Sequence, residues 1–340
     1  MAAGAPGPLS DAQLQAFDRD GFVVLGGVLP PEVVREHLAA LEAVAAAAEK
    51  GAEGGPARGG AWDGAESGAD SRQCTFAFER TQDGGLRRPA RMHKAQGIAL
   101  RLPKVLELVR RQDVALAAAA LARRGAEGAD PEAPRQRHEL DVFGTKYFPV
   151  KPGSLGSVSW HDDNYYFGTT RSHTISCVFY LRGTENGQGA LMVVPGSHRS
   201  AEVGYERARH YRTLVEQHGE YIPEEVITSG DLGRAPDGSA LPVKSLPVPG
   251  GSVVLFDANL LHCVQPNLST DTPSERVACH FIPGDLDTGF RGTSFRRGHF
   301  ADRHLIVHAD GRVATEDDAG FGANGHAEEA AAKRPRTVKE

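Results

Sequence analysis

The sequence predicts a mostly β fold with flanking α-helices: a double-stranded β-helix (jelly roll, cupin-like) with N-terminal helices packed on one side. Three observations lead there. Upstream of about residue 125 the apolar residues recur at helical spacing. From about 141 to 285 they fall instead in short β-type runs broken by turn-forming residues. A His-x-Asp pair closes one of those runs, and a further histidine follows a later one.

Ser10-Asp-Ala-Gln13 has the pattern of a capping box and opens a short helix with Leu14 and Phe17 on its apolar face. Gly21 stops it, and Phe22–Leu25 reads as a short strand. Pro30 and Pro31 suit the first turn of a second helix carrying Val34, Leu38 and Leu41, so the N-terminal helices occupy 9–50. Residues 51–70 are glycine-rich and nearly free of aliphatics, and bury too little to offset chain entropy; they read as a flexible insertion. A helical segment follows over 91–124, patterned by Leu102, Val105, Leu106, Val109, Val114, Leu116 and Leu121, and then a soft segment, Gly125–Arg137.

The β-type runs are Asp141–Phe148, Ser157–His161, Thr174–Leu181, Ala190–Val194, Leu241–Val248, Ser252–Phe256 and Val277–Ile282. Lys151-Pro-Gly153, Glu185–Gly189 and Pro249-Gly-Gly251 supply turns between them. The polar stretch Arg199–Leu232 reads as an excursion over the barrel mouth. After Gly311 apolar content nearly vanishes, so 1–310 is expected to form a single domain and 311–340 a disordered tail.

Composition sets limits on function. A chain of 340 residues can bury a substantial core. Its net charge of -6 exerts no global pull on nucleic acid or anionic lipid, so neither is expected as a partner. The N-terminus has no basic region followed by an apolar run, and no stretch approaches the ~20 apolar residues that span a bilayer. Four cysteines without paired spacing (Cys74, Cys177, Cys263, Cys279) read as reduced, mostly buried thiols of a cytoplasmic protein. Lys333-Arg-Pro-Arg336 could be a nuclear address, although a solvated charge cluster is the plainer reading. No heptad or long unprotected apolar strand specifies an oligomer.

The chemistry concentrates in His161-Asp162-Asp163. Side chains two apart at a strand end point the same way, so His161 and Asp163 can both face a barrel interior. A third ligand must come from a distant strand, and His262, following the buried-type run Ser252–Phe256, is suited to it. Two imidazoles and one carboxylate fill one face of a non-haem Fe(II) and leave the other open for oxygen and a co-substrate. Among 14 histidines a bare H-x-D is weak evidence: His308-Ala-Asp310 repeats it in a loop-like setting, and His218-Gly-Glu220 is a variant in the polar excursion. The structural alternative is a hydrogen-bonded His–Asp pair without metal. Arg276 opens the run Val277–Ile282 and could project inward, where a guanidinium fork grips a carboxylate through two parallel hydrogen bonds. The bland alternative is a surface arginine after a loop. Tyr165, Tyr166 and Phe167 could line a substrate pocket or pack the barrel rim.

These residues resemble the phytanoyl-CoA dioxygenase family of Fe(II)- and 2-oxoglutarate-dependent oxygenases. The likeness runs through Leu9–Phe17, Asp20–Leu25, Lys151-Pro-Gly153, Trp160–Asp163, Gly189–His198, Gly251–Phe256, His262–Asn267 and Arg276. It implies iron ligation by His161, Asp163 and His262, with Arg276 on the far carboxylate of 2-oxoglutarate and a structural place for His198. It further implies Fe(II) as cofactor, O2 and 2-oxoglutarate as co-substrates, ascorbate as a reductant, and hydroxylation of a small organic substrate with release of succinate and CO2. Because Asp163 is kept, no ligand position is vacated for chloride, which favours hydroxylation over halogenation. The chain departs from the family in a longer loop between His262 and Arg276 and in Val264, where a small hydroxyl residue often assists the co-substrate. Thr145 and Tyr147 are candidates for further co-substrate contacts. Two other readings stay open: a catalytically silent barrel acting as a sensor, and a cupin-like metalloenzyme that does not use 2-oxoglutarate. Arg276 is what separates the latter from the oxygenase.

Overall fold

A computed structural model describes residues 8–54, 74–81, 85–127, 139–154, 158–164, 174–184, 189–199, 242–284, 303–315 and 318. Ser10 caps α1 (Asp11–Asp20): its hydroxyl accepts from the Gln13 amide, and the Gln13 side chain accepts from the Ser10 amide at 2.9 Å. Gly21 ends this helix in the left-handed region at φ 85°. The chain turns at once into β1 (Phe22–Leu25). α2 (Pro31–Gly54) starts on a proline, whose missing N–H would have no partner in a first turn anyway. It runs past residue 50, so the predicted insertion begins later than 51. Its remaining residues lie outside those described.

The 91–124 stretch is not helical throughout. β2 (Thr75–Phe78) and β3 (Met92–Gln96) form a hairpin-like pair, and helix begins only at α3 (Ile98–Arg101), continuing as α4 (Val105–Val109) and α5 (Gln112–Glu127). Pro103, which has no amide to donate, falls between the first two helices. β3 is a strand because its backbone pairs with β4 (Leu140–Val150) through Ala95 and Gln96; its side-chain pattern, mostly polar, does not announce it.

The remaining strands are β5 (Val158–His161), β6 (Ile175–Tyr180), β7 (Leu191–Val193), β8 (Lys244–Leu246), β9 (Ser252–Asp257), β10 (His262–Val264), β11 (Ser274–Pro283) and β12 (His304–Val307). They build two antiparallel sheets: β1-β9-β6-β11-β4-β3-β2, with β12 added on β4, and β5-β10-β7-β8. This is the expected jelly roll. The folded part extends beyond residue 311, because Val313 bridges Val307 and the Ala314 amide donates to Ile306 at 2.8 Å, burying Ala314. The predicted tail therefore starts too early.

The large sheet is covered on both faces. Val253 and Leu255, Cys177 and Phe179, and Val277, Cys279 and Phe281 share one apolar cluster with Leu41, Leu106, Val109 and Leu121 from the helices. Their neighbours Val254 and Phe256, Val178 and Tyr180 point the other way, into a second cluster with Leu191, Val193 and Leu246 from the small sheet. Strands buried on both faces need continuous rather than alternating hydrophobicity, which is how β6 and β9 read. All four cysteines are free thiols. Among the described residues no helix is long and apolar enough to cross a membrane.

Gly21 and Gly27 both hold positive φ, but only Gly21 is crowded: a Cβ there would come within 2.4 Å of His198 Nδ1, whereas nothing lies within 4 Å at Gly27. Gly27→Ala should therefore cost about 1–2 kcal/mol, the left-handed penalty alone. Gly21→Ala should cost roughly 1–3 kcal/mol more through overpacking, as read from urea midpoints of the two variants.

Candidate metal centre

The two sheets enclose the site between them. β5 ends on His161 and β10 begins on His262, and the antiparallel register sets these residues directly opposite, with ring centroids 4.3 Å apart. Asp163 lies two residues on, in the turn leaving β5, which the Asn164 amide pins by donating to Ala258 O at 2.9 Å. His161 Nε2 is 3.7 Å from Asp163 Oδ1, and His262 Nε2 is 3.8 Å from Asp163 Oδ2. One ligand atom from each of the three residues can be chosen within 4.8 Å of the others, and all three residues are buried. Adjacent ligands on one metal, each at ~2.1 Å, stand about 3 Å apart. Small side-chain adjustments bring the observed spacing to that value.

The donor set fits a divalent transition metal of this class. His262 Nδ1 donates to Leu260 O at 2.8 Å, which fixes the tautomer and turns the Nε2 lone pair toward the other two ligands. Phe256 packs edge-on against the same ring at 4.8 Å. The chain entering His262 is held in turn, because the Leu261 amide donates to Ser197 Oγ at 2.8 Å. Ser197 belongs to the Pro-Gly-Ser-His stretch. His198 itself lies buried against Phe17, ring centroids 6.3 Å apart, well suited to packing.

Asp163 faces a second group of side chains from the large sheet. Ser176 Oγ donates to its Oδ2 at 2.6 Å, and His280 Nδ1 stands 3.8 Å from the same oxygen. Burial alone would raise the carboxyl pKa, but His280, His262, Lys146 and His161 outweigh it and hold Asp163 below the usual carboxylate range. Burial and Lys146 push His280 down to about 3, against the pull of Asp163.

Arg276 is buried on β11, with Phe148 under its guanidinium at 5.4 Å and a hydrogen bond to Gly189 O at 3.0 Å. Among the described residues no carboxylate pairs with it, although burying an uncompensated cation costs several kcal/mol. Arg276 and His280 share the inner face of β11, about 13 Å apart along the strand. The inner face of the large sheet thus carries a guanidinium at one end and the neighbours of Asp163 at the other.

Thr145 and Tyr147 do not join them. The pairing of β11 with β4 slips between Ala278 and His280, where Gly144 takes φ 63°, and the bulge inverts the alternation of β4. Lys146 and Phe148 consequently share the face of Ala278 and Arg276. Thr145 accepts from the Ala99 amide at 3.0 Å and Tyr147 donates to Glu275 at 3.2 Å, both on the helix side. Val264 is packed against the inter-sheet cluster. His308 and Asp310 occupy a surface turn, tied to Arg312. His218, Glu220, Tyr165, Tyr166 and Phe167 lie outside the described residues. Ser176, Lys146 and His280 were not among the predicted site residues. The alternation from Arg276 through Ala278 would have pointed to His280.

A sequence model described as phytanoyl-CoA dioxygenase (PhyH) matches residues 17–276. Ectoine dioxygenase from Halomonas elongata is 26% identical over 281 residues, covering 79% of this chain and 69% of that enzyme. The enzyme of the same name from Stutzerimonas stutzeri is 30% identical over 144 residues, covering 40% of this chain and 45% of that enzyme, less than half its length. The crystal structure of EctD from S. alaskensis with 2-oxoglutarate and 5-hydroxyectoine superposes with a TM-score of 0.51 at 20% identity, covering 83% of this chain and 79% of that one. The likeness of that structure shows a shared fold.

One neighbour of this wall gives a pH signature. Burial, aided by Lys94 and Arg276 and opposed by Glu79, pushes His93 down to about 4. The unfolded chain takes up this proton near pH 6.5 and the folded chain does not, so the contribution is complete above 6.5 and is lost as pH falls toward 4. His93→Gln should flatten the fall in the urea midpoint between pH 7 and pH 5.

Proposed function

The chain belongs to the phytanoyl-CoA dioxygenase family, and on that premise we propose that it is an Fe(II)- and 2-oxoglutarate-dependent dioxygenase that hydroxylates a small organic substrate. The observation that carries this reading is the pairing, between the same two sheets, of a buried two-His, one-Asp cluster with a buried guanidinium that has no carboxylate partner among the described residues. His161, Asp163 and His262 are its metal ligands, and Arg276 takes the far carboxylate of 2-oxoglutarate. When bound, Fe(II) and 2-oxoglutarate supply the oxidising chemistry, consuming O2 and releasing succinate and CO2, with ascorbate as an auxiliary reductant.

The chain's own groups provide placement and shelter. His262 presents Nε2 because its other nitrogen is committed to Leu260 O. Arg276 is held by Phe148 and Gly189 in a setting where a carboxylate relieves its desolvation. Phe256, Val178 and Tyr180 exclude water from the inter-sheet space. The same guanidinium disfavours a cupin-like enzyme working without 2-oxoglutarate, and a silent barrel would have no need to keep all four residues. The relatives named as ectoine dioxygenases make ectoine the first substrate to offer. Reduced thiols suit a cytoplasmic setting.

Purified protein given Fe(II) and 2-oxoglutarate under argon should develop the weak visible charge-transfer band of the chelated co-substrate, and His161→Ala should abolish it. Absence of the band in the unaltered protein overturns the assignment. Arg276→Ala should raise the 2-oxoglutarate concentration needed for half of that band by about 30-fold or more, the loss of a buried charge pair. Arg276→Lys should recover little of it, because an ammonium cannot form the parallel pair of hydrogen bonds.

A further inference from the structure

Three buried or half-buried polar side chains have no place in the scheme so far, yet they form one line of hydrogen bonds that ends on Asp163. Lys146 Nζ lies 2.9 Å from His280 Nε2, His280 Nδ1 lies 3.0 Å from Ser176 Oγ, and Ser176 Oγ lies 2.6 Å from Asp163 Oδ2. The direction of every link is fixed by what each group can donate. An ammonium only donates, so His280 Nε2 accepts and its proton resides on Nδ1. That proton points at Ser176 Oγ, and the hydroxyl proton is left for the carboxylate. We propose that Lys146, His280 and Ser176 are positioning residues that lock Asp163 as a single-oxygen ligand, Oδ2 held by Ser176 and Oδ1 left for the metal, and thereby set how tightly the centre holds its ion. The inference rests on the metal centre proposed above.

The fold builds this line with specific devices. Ser176 on β6 and His280 on β11 are direct partners in register, so their side chains rise side by side on the inner face. Phe256, opposite Ser176 on β9, closes the other flank and also touches His262. Lys146 reaches His280 only because the bulge at Gly144 turns it inward. Each of these residues occupies a different strand, so the line crosses the centre of the large sheet and reaches the turn that leaves the small one.

The benefit is a matter of coordination number. An octahedral ion has six positions. Three protein ligands would leave three of them for a chelating co-substrate and O2. A carboxylate free to bind through both oxygens would claim one of the open positions. Both Asp163 oxygens lie within 4 Å of a ligand imidazole, so its position alone does not prevent this. A 2.6 Å hydrogen bond that takes up one lone pair of Oδ2 and orients the carboxylate disfavours it. Outer partners of this kind typically change metal affinity by about 10–100-fold.

The test uses metal-free full-length protein and Co(II), whose visible absorption reports the number and arrangement of its ligands without turnover. Ser176→Ala should weaken Co(II) binding about 10-fold or more and alter the visible spectrum, while the thermal midpoint of the metal-free protein stays near that of the unaltered chain. Ser176→Thr, which keeps the hydroxyl, should retain both affinity and spectrum. Lys146→Met, at the outer end of the line, is the second variant and should shift both in the same direction by a smaller factor. If Ser176→Ala and Lys146→Met bind Co(II) with unchanged affinity and spectrum, the positioning role is wrong and the metal centre stands. If the unaltered protein itself binds neither Co(II) nor Fe(II), the metal centre falls and the positioning role with it.

Discussion

Charge buried without compensation is the constraint that organises this molecule. Asp163 and Arg276 are both enclosed between two sheets, where neither can be left bare without a penalty of several kcal/mol. Asp163 is met by imidazoles, a serine hydroxyl and the field of Lys146. Among the described residues Arg276 meets an aromatic face and a carbonyl, which satisfy its geometry but not its charge. The site is therefore balanced on its anionic side and short of a negative group on its cationic side. A diacid of the kind proposed above, reaching the guanidinium with its far end, would supply that group.

The scaffold makes that arrangement affordable by keeping the two faces of the large sheet distinct in character. The helix side of β6, β9 and β11 is mostly apolar, joined to α2, α4 and α5, with the buried Glu275 carboxylate met there by the Tyr147 hydroxyl. The polar line from Lys146 to Asp163 runs along the inner side. Most of the apolar burial that offsets chain entropy lies behind the site, which leaves the inner face free to carry groups that do not favour folding.

How much of this was readable from the chain depends on the kind of signal. His161 and Asp163 were legible because period-two spacing at a strand end has a definite geometric meaning, and His262 because it follows an unmistakable buried strand. Ser176 was not, since a serine within Thr174–Leu181 is an ordinary strand residue until its partner across the sheet is known. His280 sat inside an apolar run, with only its parity from Arg276 to mark it. Thr145 and Tyr147 were placed on the wrong face because the alternation of β4 breaks at Gly144, and a glycine in a strand is the only hint of such a break. β2, β3 and β12 were invisible for a different reason. Their short, partly polar segments become strands through backbone pairing with a neighbour, and no local pattern encodes that partner.

The order of the small sheet carries one last implication. Among the described residues β5, which brings His161 and leads to Asp163, is a margin strand paired with β10 alone, while His262 sits on β10 between β5 and β7. Two of the three proposed ligands thus hang from a sheet margin. An ion gripped by all three would act as a rivet, tying the β5 margin to β10. Amide hydrogens along this margin would then exchange at a pace set by metal occupancy, while those of the eight-stranded wall keep their own slower clock.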